Sequence, residues 1–163
     1  MPPLTSRAAR LRWPTCIEFG DVRNADEAAV RGLLAKAPHL RVLIVIGGSP
    51  CQGVARINAS GQGWAEERTR LVEHIPRVAA IVERVAPEIR VLTLGENVSS
   101  MSPEDRERFS KVLGSVPVQL CSGESSPVRR PRLYWINWPL GAVSPELSWE
   151  AHQSGVIKAT LRG

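Results

Sequence analysis

The chain has 163 residues, a hydrophobic share of 43%, a formal net charge of +5 and a sequence pI near 9.7. It is long enough for one domain with a real core, and too apolar for wholesale disorder. No run approaches the roughly 18 apolar residues of a membrane span, the start lacks the apolar core of a signal peptide, and Cys16, Cys51 and Cys121 are too few and too scattered for a disulfide framework or a zinc site.

Residues 1–13 mix Pro, Ser and Arg without a period and read as a loose leader. Thr15–Phe19 carries β-forming residues and predicts a short strand. Asn24 then stands as a helix cap with Glu27 three residues on, ahead of an apolar stripe at Val30, Leu33, Leu34 and Ala37 that Pro38 closes. Val42–Ile46 is a run of five aliphatic residues, which predicts a strand buried on both faces. Residues 52–64 are glycine-rich and polar, a long loop of the kind that is often functional. A helical pattern returns from Ala65 to Val85, with Leu71, Ile75, Val78, Val82 and Val85 on one face and a kink expected at Pro76. Val91–Leu94 predicts a second buried strand, ending in Gly95-Glu96-Asn97-Val98. Ser102 is a helix cap with Pro103 at the first helical position, and Gly114 is the stop after Leu113. Val116–Cys121 and Leu133–Trp138 predict two more strands, and the tail from Gly141 reads as irregular. Alternation of this kind predicts an α/β fold with a mostly parallel sheet and helices on both faces.

Ligands of such sheets sit outside the carboxyl ends of the strands. Gly47-Gly48-Ser49-Pro50-Cys51 occupies that position after the first apolar run. Glycines permit close backbone approach, and Pro50 disfavours helix at Ser49, so the chain turns and leaves a thiol at the crevice mouth. Taken alone, Cys51 reads equally as a small buried hydrophobe, Glu96 as a loop carboxylate, and Arg130 and Arg132 as a solvated basic turn.

Taken in order, these segments resemble the catalytic half of the DNA (cytosine-5) methyltransferases. The family's pattern is Pro-Cys-Gln, then Glu-Asn-Val, then Arg-x-Arg. Here it stands as Pro50-Cys51-Gln52, Glu96-Asn97-Val98 and Arg130-Pro131-Arg132, with separations of 45 residues from Cys51 to Glu96 and 34 from Glu96 to Arg130. Gly20-Asp21-Val22-Arg23, Met101 and Trp135-x-Asn137-x-Pro139 are similar to the de novo branch of the eukaryotic enzymes. The resemblance covers about residues 15–140. It implies a partial Rossmann-like sheet, S-adenosylmethionine as methyl donor and DNA as substrate, with a nuclear location in a eukaryote and a cytoplasmic one otherwise. It also implies roles. Cys51 is the nucleophile at carbon 6 of a flipped-out cytosine. Glu96 contacts ring nitrogen 3, while Arg132, with Arg130 near it, holds the base or the backbone. Pro50 and Asn97 shape the substrate loop, and Asp21, Val22 and Leu71 meet the cofactor.

The chain departs from the family in ways that carry expectations. No glycine-rich cofactor loop precedes Asp21, and no acidic ribose-binding strand end follows such a loop. The base-reading region and the closing segment have no counterpart in residues 141–163. The chain alone is therefore expected to transfer no methyl groups, and its sheet, short of strands, to expose apolar surface. A different class of reading is an accessory protein that docks on an active methyltransferase chain. A thiol enzyme pairing Cys51 with His74 or His39, and an RNA substrate, are further alternatives.

Overall fold

The structure is a computed structural model that describes residues 11–56, 60–124, 127–140, 147–152 and 155–161. Most of the leader, and residues 141–146 of the tail, lie outside the described residues. Three helices and six strands order the rest. Helix α1 is Glu27–Leu34, strand β1 Val42–Gly48, helix α2 His74–Val85, strand β2 Arg90–Val98 and helix α3 Pro103–Leu113. Strands β3 (Val118–Cys121), β4 (Pro131–Ile136), β5 (Leu147–His152) and β6 (Val156–Leu161) follow. The sheet runs β1-β2-β4-β3-β6-β5.

The α/β class is present, but the sheet is mixed rather than mostly parallel. β1–β2 and β3–β6 are parallel, whereas β2–β4, β3–β4 and β5–β6 are antiparallel. β4 follows β3 closely in sequence and returns beside it, which only an antiparallel pair allows over so short a connection.

Helices α1, α2 and α3 do not cover both faces. In register, Gly47 of β1 lies beside Gly95 of β2, and Gly95 opposite Trp135 of β4, so all three face one way. A β-carbon on Gly47 would touch Ile75 of α2, and one on Gly95 would touch Leu113 of α3. Trp135 stacks at 5.3 Å on Phe109 of α3, and its indole N–H donates to Ser110 Oγ at 2.9 Å. Val30 of α1 packs into the same layer against Val82 and Val91. All three described helices therefore share one face, where Phe109, Trp135, Leu133 and Val72 form the most deeply buried cluster.

β1 differs most from its expected setting. It is an edge strand, and its burial alternates. Leu43 and Val45 meet the helices, while Val42, Ile44 and Ile46 on the other face are 45%, 51% and 66% exposed. A run that is aliphatic on both faces has the composition of a central strand. Here one neighbour and one covering layer are missing among the described residues.

Local capping follows residue chemistry. Ser102 Oγ accepts from the Asp105 amide at 3.0 Å, Pro103 opens α3, and Gly114 closes it in the left-handed region at φ 68°. At α1 the cap is Asp26, whose carboxylate accepts from the Ala29 amide at 2.8 Å, rather than Asn24, which ends a 3-10 turn Val22–Asn24. Glu27 is accordingly not a capping-box partner but pairs with Arg31 and Arg84. Pro76 produces no kink inside a long helix. A 3-10 segment, Thr69–Glu73, leads into α2, and Pro76 sits in the first α-helical turn, where its missing N–H costs least. Thr15–Phe19 forms no strand, and Ile17 and Phe19 are exposed. The tail is not irregular throughout, since β5 and β6 form a hairpin that turns at Gly155, φ 71°.

Candidate active site

The carboxyl ends of β1 and β2 lie side by side. Pro50, at φ −51° and ψ 128°, directs the chain into a 3-10 turn Cys51–Gly53, and the Cys51 carbonyl accepts from Val54 and Ala55 amides at 3.1 and 2.7 Å. The turn packs closely at Gly53, where a β-carbon would clash with Thr69 Oγ1. The thiol of Cys51 is half-buried.

Period-two alternation sends neighbouring β2 side chains to opposite faces. Asn97, 2% exposed, turns toward the helix layer. Its Nδ2 donates to the Ser49 carbonyl at 3.2 Å and hydroxyl at 3.0 Å, and its Oδ1 accepts from the Val98 amide at 2.8 Å. One buried amide thus fixes the loop that presents Cys51. Glu96 turns to the other face. Glu96 pairs with Tyr134 and Val98 with Arg132 across the β2–β4 ladder, so Glu96 and Arg132 are diagonal neighbours on one face. Arg132 Nε donates to Glu96 Oε1 at 3.0 Å. Gly48 lies beside Glu96 in the parallel register, and a β-carbon there would come within 2.9 Å of Glu96 Oε2. The second glycine of Gly47-Gly48 therefore leaves room for this carboxylate.

Cys51, Glu96, Asn97, Arg130, Arg132 and Pro50 line a single cleft of about 370 Å³. Of the two arginines, Arg132 is tied to Glu96, and Arg130 makes no ion pair among the described residues. The cleft thus offers a thiol, a carboxylate braced by a cation, and a second guanidinium within one concavity. Ser49 and Gln52 also line it. The sequence reading assigned neither of them, although both flank Pro50-Cys51.

The expected cofactor residues divide. Val22 and Leu71 line a second, mainly apolar cleft of about 400 Å³ that runs between β1 and helices α1 and α2. It shares Ser49 and Pro50 with the Cys51 cleft, so the two adjoin. Asp21 sits between two residues of its wall, but its carboxylate is engaged by Arg23, which donates from its backbone N–H at 2.9 Å and from Nε and Nη2 at 3.0 and 2.6 Å. Those bonds hold the Asp21 carboxyl down from 3.8 to about 2, the side-chain contact with Arg23 counting most and its backbone N–H next. His74, offered by the sequence as an alternative partner for Cys51, lines this second cleft instead. Its spacing from Leu71 and Val78 places it on their stripe, which is the signal that could have found it.

No family model matches the chain. No described helix is long and apolar enough to cross a membrane.

Proposed function

We propose that the chain is the catalytic part of a DNA (cytosine-5) methyltransferase. The observation that carries this reading is the convergence of Cys51, Glu96, Arg130 and Arg132, distant in sequence, on one cleft at the carboxyl ends of two parallel strands. Each group suits a step. Carbon 5 of cytosine is a weak nucleophile. Addition of the Cys51 thiolate to carbon 6 forms a C–S bond and moves the ring's electron pair toward carbon 5 and the N3–C2–O2 edge. The Glu96 carboxyl group faces ring nitrogen 3, and Arg132 beside it offsets the charge that accumulates on that edge. Arg130, which makes no ion pair among the described residues, meets a backbone phosphate of the extruded nucleotide. Methyl transfer to carbon 5 would leave the donor as a neutral thioether; water in the cleft then takes the carbon 5 proton, its electron pair re-forms the C5–C6 double bond, and the C–S bond breaks to release the Cys51 thiolate. Asn97 and Gly48 keep the Cys51 loop and the Glu96 carboxylate in place throughout.

S-adenosylmethionine supplies an electrophilic methyl group. The adjoining cleft fits such a donor, since it is concave, mainly apolar, and opens beside Ser49 and Pro50 next to the thiol. Val22 and Leu71 would hold the donor's ring and ribose region. Asp21 would join them only by giving up part of its Arg23 contact.

The test is covalent trapping. Mixed with a complementing methyltransferase chain, S-adenosylmethionine and duplex DNA containing 5-fluorocytosine, the protein is expected to form a denaturation-resistant adduct that Cys51→Ser abolishes. Equal trapping by Cys51→Ser, or none by the wild type, rejects the reading.

A second reading is favoured by the exposed Val42, Ile44 and Ile46 on an edge strand. In it the chain is an accessory that docks by this edge on an active methyltransferase, with its own cleft idle. Stimulation of the partner's turnover that survives Cys51→Ser would select it.

A further inference from the structure

The apolar cleft has one imidazole in its wall. His74 opens α2, is half-buried, and lines the cleft with Leu71, Ile75 and Val78. Its Nδ1 is occupied, because Arg77 Nε donates to it at 2.9 Å. A guanidinium only donates and does not lose its proton, so Nδ1 must be the acceptor and the proton of the neutral ring stands on Nε2. The same guanidinium donates to the Ala25 carbonyl at 2.6 Å and the Val22 carbonyl at 2.5 Å. Three acceptors from two segments therefore set its orientation. Arg77 joins the turn that carries Val22 to the helix turn that carries His74, the two sides of the cleft. His74 Nε2 has no partner among the described residues.

The geometry points to His74 as the ligand-contacting donor of this cleft, with Arg77 as its positioning residue. The ligand it selects is a planar heterocycle of the adenine type, whose faces lie on aliphatic walls and whose unprotonated ring nitrogen accepts from Nε2–H. This rests on reading the cleft as the methyl-donor site. Aliphatic walls such as Val22, Leu71 and Ile75 discriminate weakly among flat apolar bodies, whereas a fixed donor penalises a body with no acceptor to offer. His74, not the walls, then decides that a purine is preferred.

The experiment is ligand-observed NMR on the full chain with two probes. Adenosine presents ring-nitrogen acceptors, and indole is a flat body with an N–H donor and none. The wild type is expected to bind adenosine better than indole. His74→Phe keeps a ring and removes the donor. It should weaken adenosine by about tenfold, the loss of one hydrogen bond, and leave indole unchanged. In parallel, the imidazole nitrogen spectrum of the wild type should show His74 protonated on Nε2, and Arg77→Met should give a mixture of tautomers. A protonated Nδ1 in the wild type overturns the proposal. So does equal weakening of both probes in His74→Phe, or a wild type that does not prefer adenosine. Trapping at Cys51 with no adenosine preference sinks this inference alone. Adenosine preference without trapping sinks the reading of Cys51 and leaves the purine site standing.

Discussion

Glu96 has two neighbours that decide what it can do. Arg132 draws its carboxylate across the diagonal of the β2–β4 ladder, and Gly48 leaves the space beside it. A group that acts mainly on charge developing in the ring should affect rate more than binding. In the complemented enzyme, Glu96→Gln is expected to lower turnover by roughly 10²-fold or more with little change in DNA affinity. Single-turnover kinetics beside a binding titration will separate the two, and a variant that loses only affinity makes Glu96 a docking residue. Asp21 is a different case, since it is fully occupied by Arg23. Its folded-state pKa lies below its ordinary value, so its contribution is complete above about pH 3.8 and is lost as pH falls through about 2. Carbon-detected NMR should find this carboxyl still ionised at pH 3 in the wild type, and returned toward the ordinary range in Arg23→Gln. A wild-type midpoint at the ordinary value would mean that the Arg23 contact does not persist in solution.

At the level of elements, side chains extend what the backbone starts. Asn137 follows β4 and continues its ladder. Its Oδ1 accepts from the Thr93 amide at 2.8 Å, and its Nδ2 donates to the Val91 carbonyl at 3.2 Å. β2 is thereby fastened along its first half, while its second half carries Glu96 and Asn97. Asn137→Leu is expected to cost about 1–2 kcal/mol, since it leaves one amide and one carbonyl without these partners. Urea unfolding should show a lower midpoint at unchanged slope. An unchanged midpoint would mean that water replaces the side chain at no cost. The Cys51 turn depends on a similar fastening, from Asn97 to Ser49 on one side and from Gly53 against Thr69 on the other. The thiol is therefore held by β2 and the Thr69–Glu73 turn as much as by its own strand.

For the whole molecule, the uncovered face of the sheet matters most. Val42, Ile44 and Ile46 stand on an edge strand with no covering layer among the described residues. Unpaired edge groups flanked by aliphatic side chains are a template for strand addition. Concentration-dependent association is expected, and Ile44→Lys should suppress it while leaving the helical signal intact, because Ile44 faces away from α2. Sedimentation velocity across a concentration series is the measurement. Unchanged association in Ile44→Lys would place the contact elsewhere. The formal charge of +5 opposes self-association only weakly at physiological salt, where the Debye length is about 8 Å.

Features under local chemical control were legible in the amino-acid order. The bounds of α3 follow from Ser102, Pro103 and Gly114, each acting within a few residues. The existence of β1 and β2 follows from two aliphatic runs, and the ordered motifs marked the residues that line one cleft. Features that depend on distant partners were set by the folded chain. An aliphatic run carries no information about whether a second neighbour is present, so the edge position of β1 was not legible. Which face receives the helices depends on register across β1, β2 and β4, and no single strand encodes it. β5 and β6 pair across a turn at Gly155, and β6 is held by β3, more than thirty residues earlier. The pairing of Glu96 with Arg132 likewise exists only once β4 lies antiparallel to β2, because the diagonal that joins them is a property of the ladder and of neither strand alone.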